Sequence, residues 1–338
     1  MKGKGQTITI LGGGSWGTAL SVLLHDAGHR VSIWELFVER AAAMMANREN
    51  REMLPGIHIP DDILITPDAD RALAGSDVIV FVIPSHGMRK TAETVARSLT
   101  RHQTVVIATK GIEENTLMRM SEIVEQVAGV EPGRVAVLVG PSHAEEVSRG
   151  VPTTVVAASK SEHTADTVRD IFMTPRFRVY TNTDVVGVEA GVALKNVVAI
   201  AAGMCDGLGY GDNTKGALLT RGLAEMSRLG IKMGARPETF SGLAGIGDLI
   251  TTCVSKHSRN RYVGEEIGKG RTLDDVLSGM VMVAEGVRTT RSAVGLAERY
   301  KVEMPIASEV YKILFEDKSA EEAINDLMLR TPKPEVWQ

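Results

Sequence analysis

A lysine stands inside a segment that is otherwise apolar nearly all round, running from Val185 to Ala202. A segment of that kind reads as a buried helix. Burial disfavours the charged form of an amine, which moves Lys195 towards the range useful for acid–base work. Glu189, on the same segment, lies about 120° further round a helix, so it is not an i,i+4 partner. The partner of Lys195 must come from elsewhere in the chain or from a substrate; a structural buried salt bridge is the alternative role. Asp248 follows the closely spaced glycines Gly242, Gly245 and Gly247. It could hold Lys195 or a substrate hydroxyl, or simply cap a helix. Lys110, in Ala108-Thr109-Lys110-Gly111, follows an apolar run and could face ligands, or be an exposed surface lysine.

Other clusters carry polar groups suited to phosphates. Gly12-Gly13-Gly14-Ser15-Trp16-Gly17 has the spacing G-x-G-x-x-G between an apolar β-branched run and a helical pattern. Gly12 permits a tight turn, Gly14 lets backbone approach a pyrophosphate, and Gly17 lets the helix pack on the strand. Free N–H groups at the helix start hold the phosphates. Glu35, just past the next apolar run, is placed to accept from a ribose 2′-hydroxyl; an ordinary surface glutamate is the other reading. Gly140-Pro141-Ser142-His143-Ala144 could present Ser and His to a substrate oxygen, or be a bare turn. Pro84-Ser85-His86 is a further polar strand end. The stretch Ser255 to Arg261, with Ser258, Arg259 and Asn260, is a local basic patch able to grip a phosphate, or a solvated loop.

The elements that position these groups fall into two regimes. Thr7–Leu11, Val31–Trp34, Val78–Ile83, Thr104–Ala108, Val135–Val139 and Thr153–Ala157 read as strands separated mostly by helices, the first over Ser15–Ala27. Several are continuously apolar, as in a sheet covered on both faces. This alternation predicts a Rossmann-like, doubly wound α/β domain over residues 1–182. From Thr183 the pattern turns helical: 184–206, 214–230, 237–251, 258–268, 272–279, 286–299, 305–315 and 319–328. Pro237 marks a helix start and Gly230 a helix end. An all-helical substrate domain is thus expected over 183–338.

Composition excludes other classes. The chain has 338 residues, enough for two domains of roughly 150 residues. With 43% hydrophobic and 24% charged residues it is an ordinary globular sequence. A net charge of −4 and 4% aromatics argue against nucleic acid as a partner. Cys205 and Cys253 form no C-x-x-C motif. His25 and His29 flank Gly28 without the glutamate of H-E-x-x-H and read as solvated surface residues, so no metal site is expected. Glu189, Lys195 and Asn196 interrupt the longest apolar stretch, which argues against a membrane span. The expectation is a soluble, cytoplasmic protein with reduced thiols.

Taken in order, Gly12–Gly17, Ala108–Gly111, Gly140–Ser142, Ala193–Asn196, Thr220–Met226, Gly245–Asp248, Ser258–Asn260 and Glu285-Gly286 resemble the bacterial NAD(P)-dependent glycerol-3-phosphate dehydrogenase family. The resemblance covers about residues 6–328. It implies a Rossmann domain followed by a helical domain of the 6-phosphogluconate dehydrogenase type. It implies cofactor contacts from Ser15, Trp16, Lys110, Ala144, Arg259, Val283 and Glu285. It implies substrate contacts from Lys110, Gly140, Ser142, Lys195, Asp248, Ser258, Arg259 and Asn260, with Lys195 as the proton-transferring lysine. The implied product, glycerol 3-phosphate, starts glycerophospholipid synthesis. The chain departs from many members just after its second strand, where Trp34-Glu35-Leu36-Phe37 offers no cation for an NADP 2′-phosphate; Arg40 is the nearest. NAD or NADP is therefore expected, leaning towards NAD. The partner expected is a small phosphorylated substrate, with a homodimer left open. A dehydrogenase of unphosphorylated hydroxy or sugar acids, and a non-catalytic dinucleotide sensor, are the rival readings.

Overall fold

A computed structural model describes residues 5–332, 334 and 335. The first half alternates strands and helices: β1 (Thr7–Leu11), α1 (Ser15–Asp26), β2 (Arg30–Trp34), α2 (Val38–Asn47), β3 (Leu64–Thr66), α3 (Ala69–Leu73), β4 (Val78–Phe81), α4 (Met88–Val95), β5 (Thr104–Ile107), α5 (Met120–Ala128), β6 (Val135–Val139), α6 (Ala144–Val147), β7 (Thr153–Ser159), α7 (Glu162–Phe172) and β8 (Phe177–Asn182). The strands form one sheet in the order β3-β2-β1-β4-β5-β6-β7-β8. Every pairing is parallel except β6 with β7. Ile10 sits between Ile33 of β2 and Val80 of β4, so the strand order reverses on either side of β1. Such a reversal opens a crevice at the carboxyl ends of the strands.

Each face of the sheet has its own core. Ile8, Ile10, Ile33 and Val80 pack on one side with Leu20 and Leu24 of α1. Leu11, Ile79, Phe81 and Val105 pack on the other with Met88 and Ile123. Every residue of β4 and β6 is buried, the reason these strands read as unbroken apolar runs.

After β8 the described chain is helical: α8 (Val185–Gly207), α9 (Asp212–Lys232), α10 (Pro237–Phe240), α11 (Asp248–Val254), α12 (Arg259–Gly268), α13 (Leu273–Ser278), α14 (Glu285–Tyr300), α15 (Pro305–Phe315) and α16 (Ala320–Met328). Asp184 caps α8 by accepting from Gly187 N–H at 2.9 Å. By length and hydropathy α8 could cross a membrane, yet its most apolar window is 94% buried in the protein, so it is a core helix. Its neighbours reach it through glycines. A Cβ on Gly264 of α12 would lie 1.9 Å from the Ile200 carbonyl oxygen, and one on Gly203 of α8 would lie 2.0 Å from that of Arg261. These two helices touch backbone to backbone.

Several sequence expectations are corrected. The helix expected over 237–251 is broken into α10, an irregular turn at Leu243–Gly247 and α11. Gly245 adopts φ −99°, ψ −105°, and a Cβ there would strike the Phe240 carbonyl oxygen at 2.1 Å. Gly230 does not end α9, which runs to Lys232; Gly234, at φ +102°, follows its C-cap. Strands β4 and β5 stop at Phe81 and Ile107, before the residues expected to extend them. Strands β3 and β8 were not anticipated. His25 and His29 are not freely solvated: His25 pairs with Asp62 at 2.9 Å, and His29 accepts from Gln6 N–H at 3.1 Å.

Candidate active site

Lys195, in the middle of α8, is only 4% exposed. Its Nζ donates to Asp248 Oδ1 at 2.9 Å and to the hydroxyl of Thr252. The other oxygen, Asp248 Oδ2, accepts from Lys110 Nζ at 2.9 Å. Lys110 also donates to the Gly140 carbonyl at 2.8 Å, and so does Ser142 Oγ at 3.0 Å. One carboxylate therefore joins a lysine of the sheet domain to a lysine of the helical domain. The irregular turn makes this possible. A Cβ on Gly191, one turn before Lys195, would lie 2.4 Å from the Ala244 carbonyl oxygen. Glycine at 191 lets that turn dock on α8 and start α11 with Asp248 facing Lys195.

The electrostatics follow from burial and this pairing. Burial pushes the Lys195 ammonium down, Asp248 pulls it back and Lys110 opposes it again, leaving a pKa of about 8. Burial raises Asp248, but the two ammonium groups outweigh it and hold the carboxyl below its ordinary value. Near neutral pH the cluster is thus two cations on one anion, and Lys195 is poised to give up a proton.

The start of α12 faces the same region. Ser258 caps it, accepting from Arg261 N–H at 3.2 Å. Arg259 is exposed, with Nη1 donating to the Val283 carbonyl at 2.7 Å. Asn260 is turned inwards: its amide donates to Asn196 Oδ1 at 2.9 Å and accepts from Gly286 N–H at 2.8 Å. Its side chain thus ties α12 to α8 and α14 more than it faces outwards. Glu285, the first residue of α14, accepts from Ser85 N–H at 2.9 Å and from Ser85 Oγ at 2.5 Å. Burial raises the Glu285 carboxyl, and those bonds oppose the rise. This is a second contact between the helical domain and the carboxyl end of the sheet.

At the other end of the crevice, Gly12 turns with φ +116°, and a Cβ there would lie 2.4 Å from the Val82 carbonyl oxygen. A Cβ on Gly17 would meet the Gly12 carbonyl oxygen at 1.9 Å. Above Gly14 the space is open apart from Met53 Sδ at 3.8 Å. Helix α1 starts at Ser15 with no side-chain cap and no acidic residue in its first turn. An uncapped helix start beside open space fits a phosphate. Trp16 packs its ring towards Phe177, centroids 6.5 Å apart. Ala144 is buried as the first residue of α6. Three strand spacings separate β2 from β5, about 14 Å, which an extended dinucleotide would span.

Glu35, 3% exposed, accepts from Gly13 N–H at 3.1 Å and from Phe37 N–H at 3.1 Å. Residues 34–37 carry no cation, and Arg40, the nearest one, does reach this turn. Arg40 Nη1 reaches Glu35 Oε1 at 3.3 Å, its Nε reaches Glu52 at 3.3 Å, and its guanidinium lies 4.8 Å from the Phe37 ring centroid. Thr252 went unrecognised in the sequence, although its i+4 spacing from Asp248 on α11 was a usable signal.

Comparison with known proteins agrees over nearly the whole chain. The model of the NAD-dependent glycerol-3-phosphate dehydrogenase N-terminus matches residues 7–165, and that of the C-terminus matches 184–325. A glycerol-3-phosphate dehydrogenase [NAD(P)+] of Prosthecochloris aestuarii is 54% identical over 330 residues, covering 97% of this chain and 99% of that protein. One from Agathobacter rectalis is 51% identical, covering 97% of each. The crystal structure of glycerol-3-phosphate dehydrogenase from Coxiella burnetii superimposes with a TM-score of 0.93 at 35% identity, covering 97% of this chain and 100% of that one.

Proposed function

The chain belongs to the NAD-dependent glycerol-3-phosphate dehydrogenase family, and from that premise we propose how its own residues carry the reaction. The protein is an oxidoreductase that interconverts sn-glycerol 3-phosphate and dihydroxyacetone phosphate with NAD or NADP, supplying glycerol 3-phosphate for phospholipid synthesis. The observation that carries the assignment of roles is the Lys195–Asp248–Lys110 cluster, built from both halves of the chain.

Residues 1–182 hold the dinucleotide and 183–338 complete the substrate site. Gly12, Gly14, Ser15, Trp16 and Gly17 receive the pyrophosphate at the uncapped start of α1. Glu35 faces the ribose, and Lys110, Ala144, Arg259, Val283 and Glu285 frame the nicotinamide end. The bound nicotinamide supplies or accepts the hydride at C2 of the substrate. Lys195 gives its proton to the C2 oxygen during reduction and takes it back during oxidation. Lys110 polarises the same oxygen, and Asp248 keeps both ammonium groups aimed. Ser258, Arg259 and the first N–H groups of α12 hold the substrate phosphate, with Asn260 fixing that turn. Gly140 and Ser142 shape the wall opposite. Orientation and charge are the protein's contribution.

Glu35 favours NAD by repelling a 2′-phosphate, and Arg40, balanced between Glu35 and Glu52, leaves room for NADP. Cytoplasmic placement suits two buried, inert thiols, pushed by burial to about 11 at Cys205 and about 12 at Cys253. A homodimer is part of this proposal, resting on exposed Ile250 and Val254 of α11 and Ile246 of the turn before it, and sedimentation tests it. The activity is tested by nicotinamide absorbance with dihydroxyacetone phosphate and then with unphosphorylated keto acids. Turnover confined to the phosphorylated ketone supports the reading; turnover of keto acids alone sinks it.

A further inference from the structure

His143 leaves β6 at the N-cap of α6, but its ring makes no capping bond. Its Nε2 is shut off from solvent and has no hydrogen-bond partner among the described residues. Buried polar atoms without partners are uncommon, and one in a cleft needs a reason. The ring lies 5.7 Å, centroid to centroid, from that of His257, the residue before the Ser258 cap of α12. The ammonium groups of Lys110 and Lys195 also act on it. Burial first, then those two cations, hold its pKa below the ordinary histidine value, while Glu145 and Glu146 pull the other way. His143 is therefore coupled to the two lysines of the cluster and touches the residue that precedes the turn proposed to take the phosphate.

A three-carbon phosphate with its C2 oxygen at Lys195 and its phosphate at α12 would bridge the two groups that this ring neighbours. We propose that His143 is a substrate-binding residue, its Nε2 donating to a phosphate oxygen so that it helps select the phosphorylated ketone. This rests on the functional reading above. A neutral imidazole has one N–H to give. An arriving phosphate dianion favours the charged ring, so binding draws a proton from solution.

The test uses His143→Phe, which keeps a ring and removes both nitrogens, and His143→Gln, which keeps an N–H donor. The Phe variant is expected to raise KM for dihydroxyacetone phosphate at least about tenfold, equivalent to about 1.4 kcal/mol. Its kcat, its Kd for NADH by fluorescence and its KM for unphosphorylated dihydroxyacetone should stay within about twofold. The Gln variant should fall between Phe and wild type. Calorimetric titration of dihydroxyacetone phosphate onto the enzyme–NAD complex, in two buffers of different ionisation enthalpy, should show proton uptake that the Phe variant loses. A KM within twofold of wild type, or equal losses on both ketones, overturns the proposal. If wild type fails to reduce dihydroxyacetone phosphate with either cofactor, the functional reading falls and this one with it.

Discussion

Lys195 Nζ and Asp248 Oδ1 meet at 2.9 Å across 53 positions of sequence, both almost wholly buried. A buried pair with one member removed leaves an uncompensated charge, which is strongly destabilising. Here the second lysine softens that cost, because Asp248 keeps Lys110 when Lys195 is lost. The site can therefore be dissected by mutation without unfolding the cleft.

Lys195→Met should cut kcat by at least about a thousandfold, roughly 4 kcal/mol, while leaving NADH affinity nearly unchanged. In wild type, the protonated lysine serves reduction and the neutral lysine serves oxidation. With its pKa lowered to about 8, kcat/KM for ketone reduction should fall as pH rises through about 8, and that for oxidation should rise. Stopped-flow traces of both directions over pH 6.5–9.5 check this; parallel profiles in the two directions would assign the proton to another group.

Arg259→Ala should raise KM for dihydroxyacetone phosphate by about 10- to 100-fold, as expected for losing a hydrogen bond to a charged group of about 1.5–3 kcal/mol. Dihydroxyacetone without phosphate should be far less affected. Equal losses on both ketones would show that this guanidinium does not read the phosphate.

NADH should be preferred over NADPH in kcat/KM, on the proposal that the Glu35 carboxylate at the end of β2 faces the ribose. Arg40→Ala should lower NADPH affinity about tenfold and leave NADH affinity within about twofold, since Arg40 is the cation that Glu35 and Glu52 hold in place. Glu35→Arg should reverse the preference. Fluorescence titration of both cofactors measures all three; an unchanged ratio in Glu35→Arg places the ribose elsewhere.

Glu225 on α9 accepts from Ile306 N–H at 2.8 Å and from Ala307 N–H at 3.3 Å, at the start of α15. Burial raises its pKa to about 7, against the opposing pull of those bonds. A carboxyl raised in the folded state contributes stability below its unfolded pKa and loses it as pH rises through its folded pKa. Stability should thus fall by about 3 kcal/mol between pH 4.5 and pH 7 through this group alone. Thermal unfolding of wild type and Glu225→Gln across that window isolates it: the variant's curve should be flatter, and superimposable curves would place the titration elsewhere.

The sheet was legible wherever strands are covered on both faces, because burial on both sides writes an unbroken apolar run. Strand β8 escaped because Arg178 and Tyr180 alternate outwards along it, and β3 because three residues carry no period. In the site, the solitary charge of Lys195 demanded a partner, and Asp248 was among the candidates. What could not be read was the broken turn before Asp248. Gly242, Gly245 and Gly247 weaken a helix there, and contact of glycine backbone with α8 and Phe240 fixes where it breaks. Arg40 was legible as the nearest cation, but its contact with Glu35 was not. Counting residues after a strand ignores that the first turn of a helix brings its side chains back over the strand end.

The glycine contacts between α8 and α12 have a bearing on selectivity. Lys195 rides on one helix and Ser258 opens the other, and where the two cross, main chain rests on main chain. Side chains can swing to accommodate a longer ligand; two backbones in contact cannot. The separation between the helix that carries Lys195 and the helix proposed to seat the phosphate is therefore set by main chain, like the jaws of a fixed caliper.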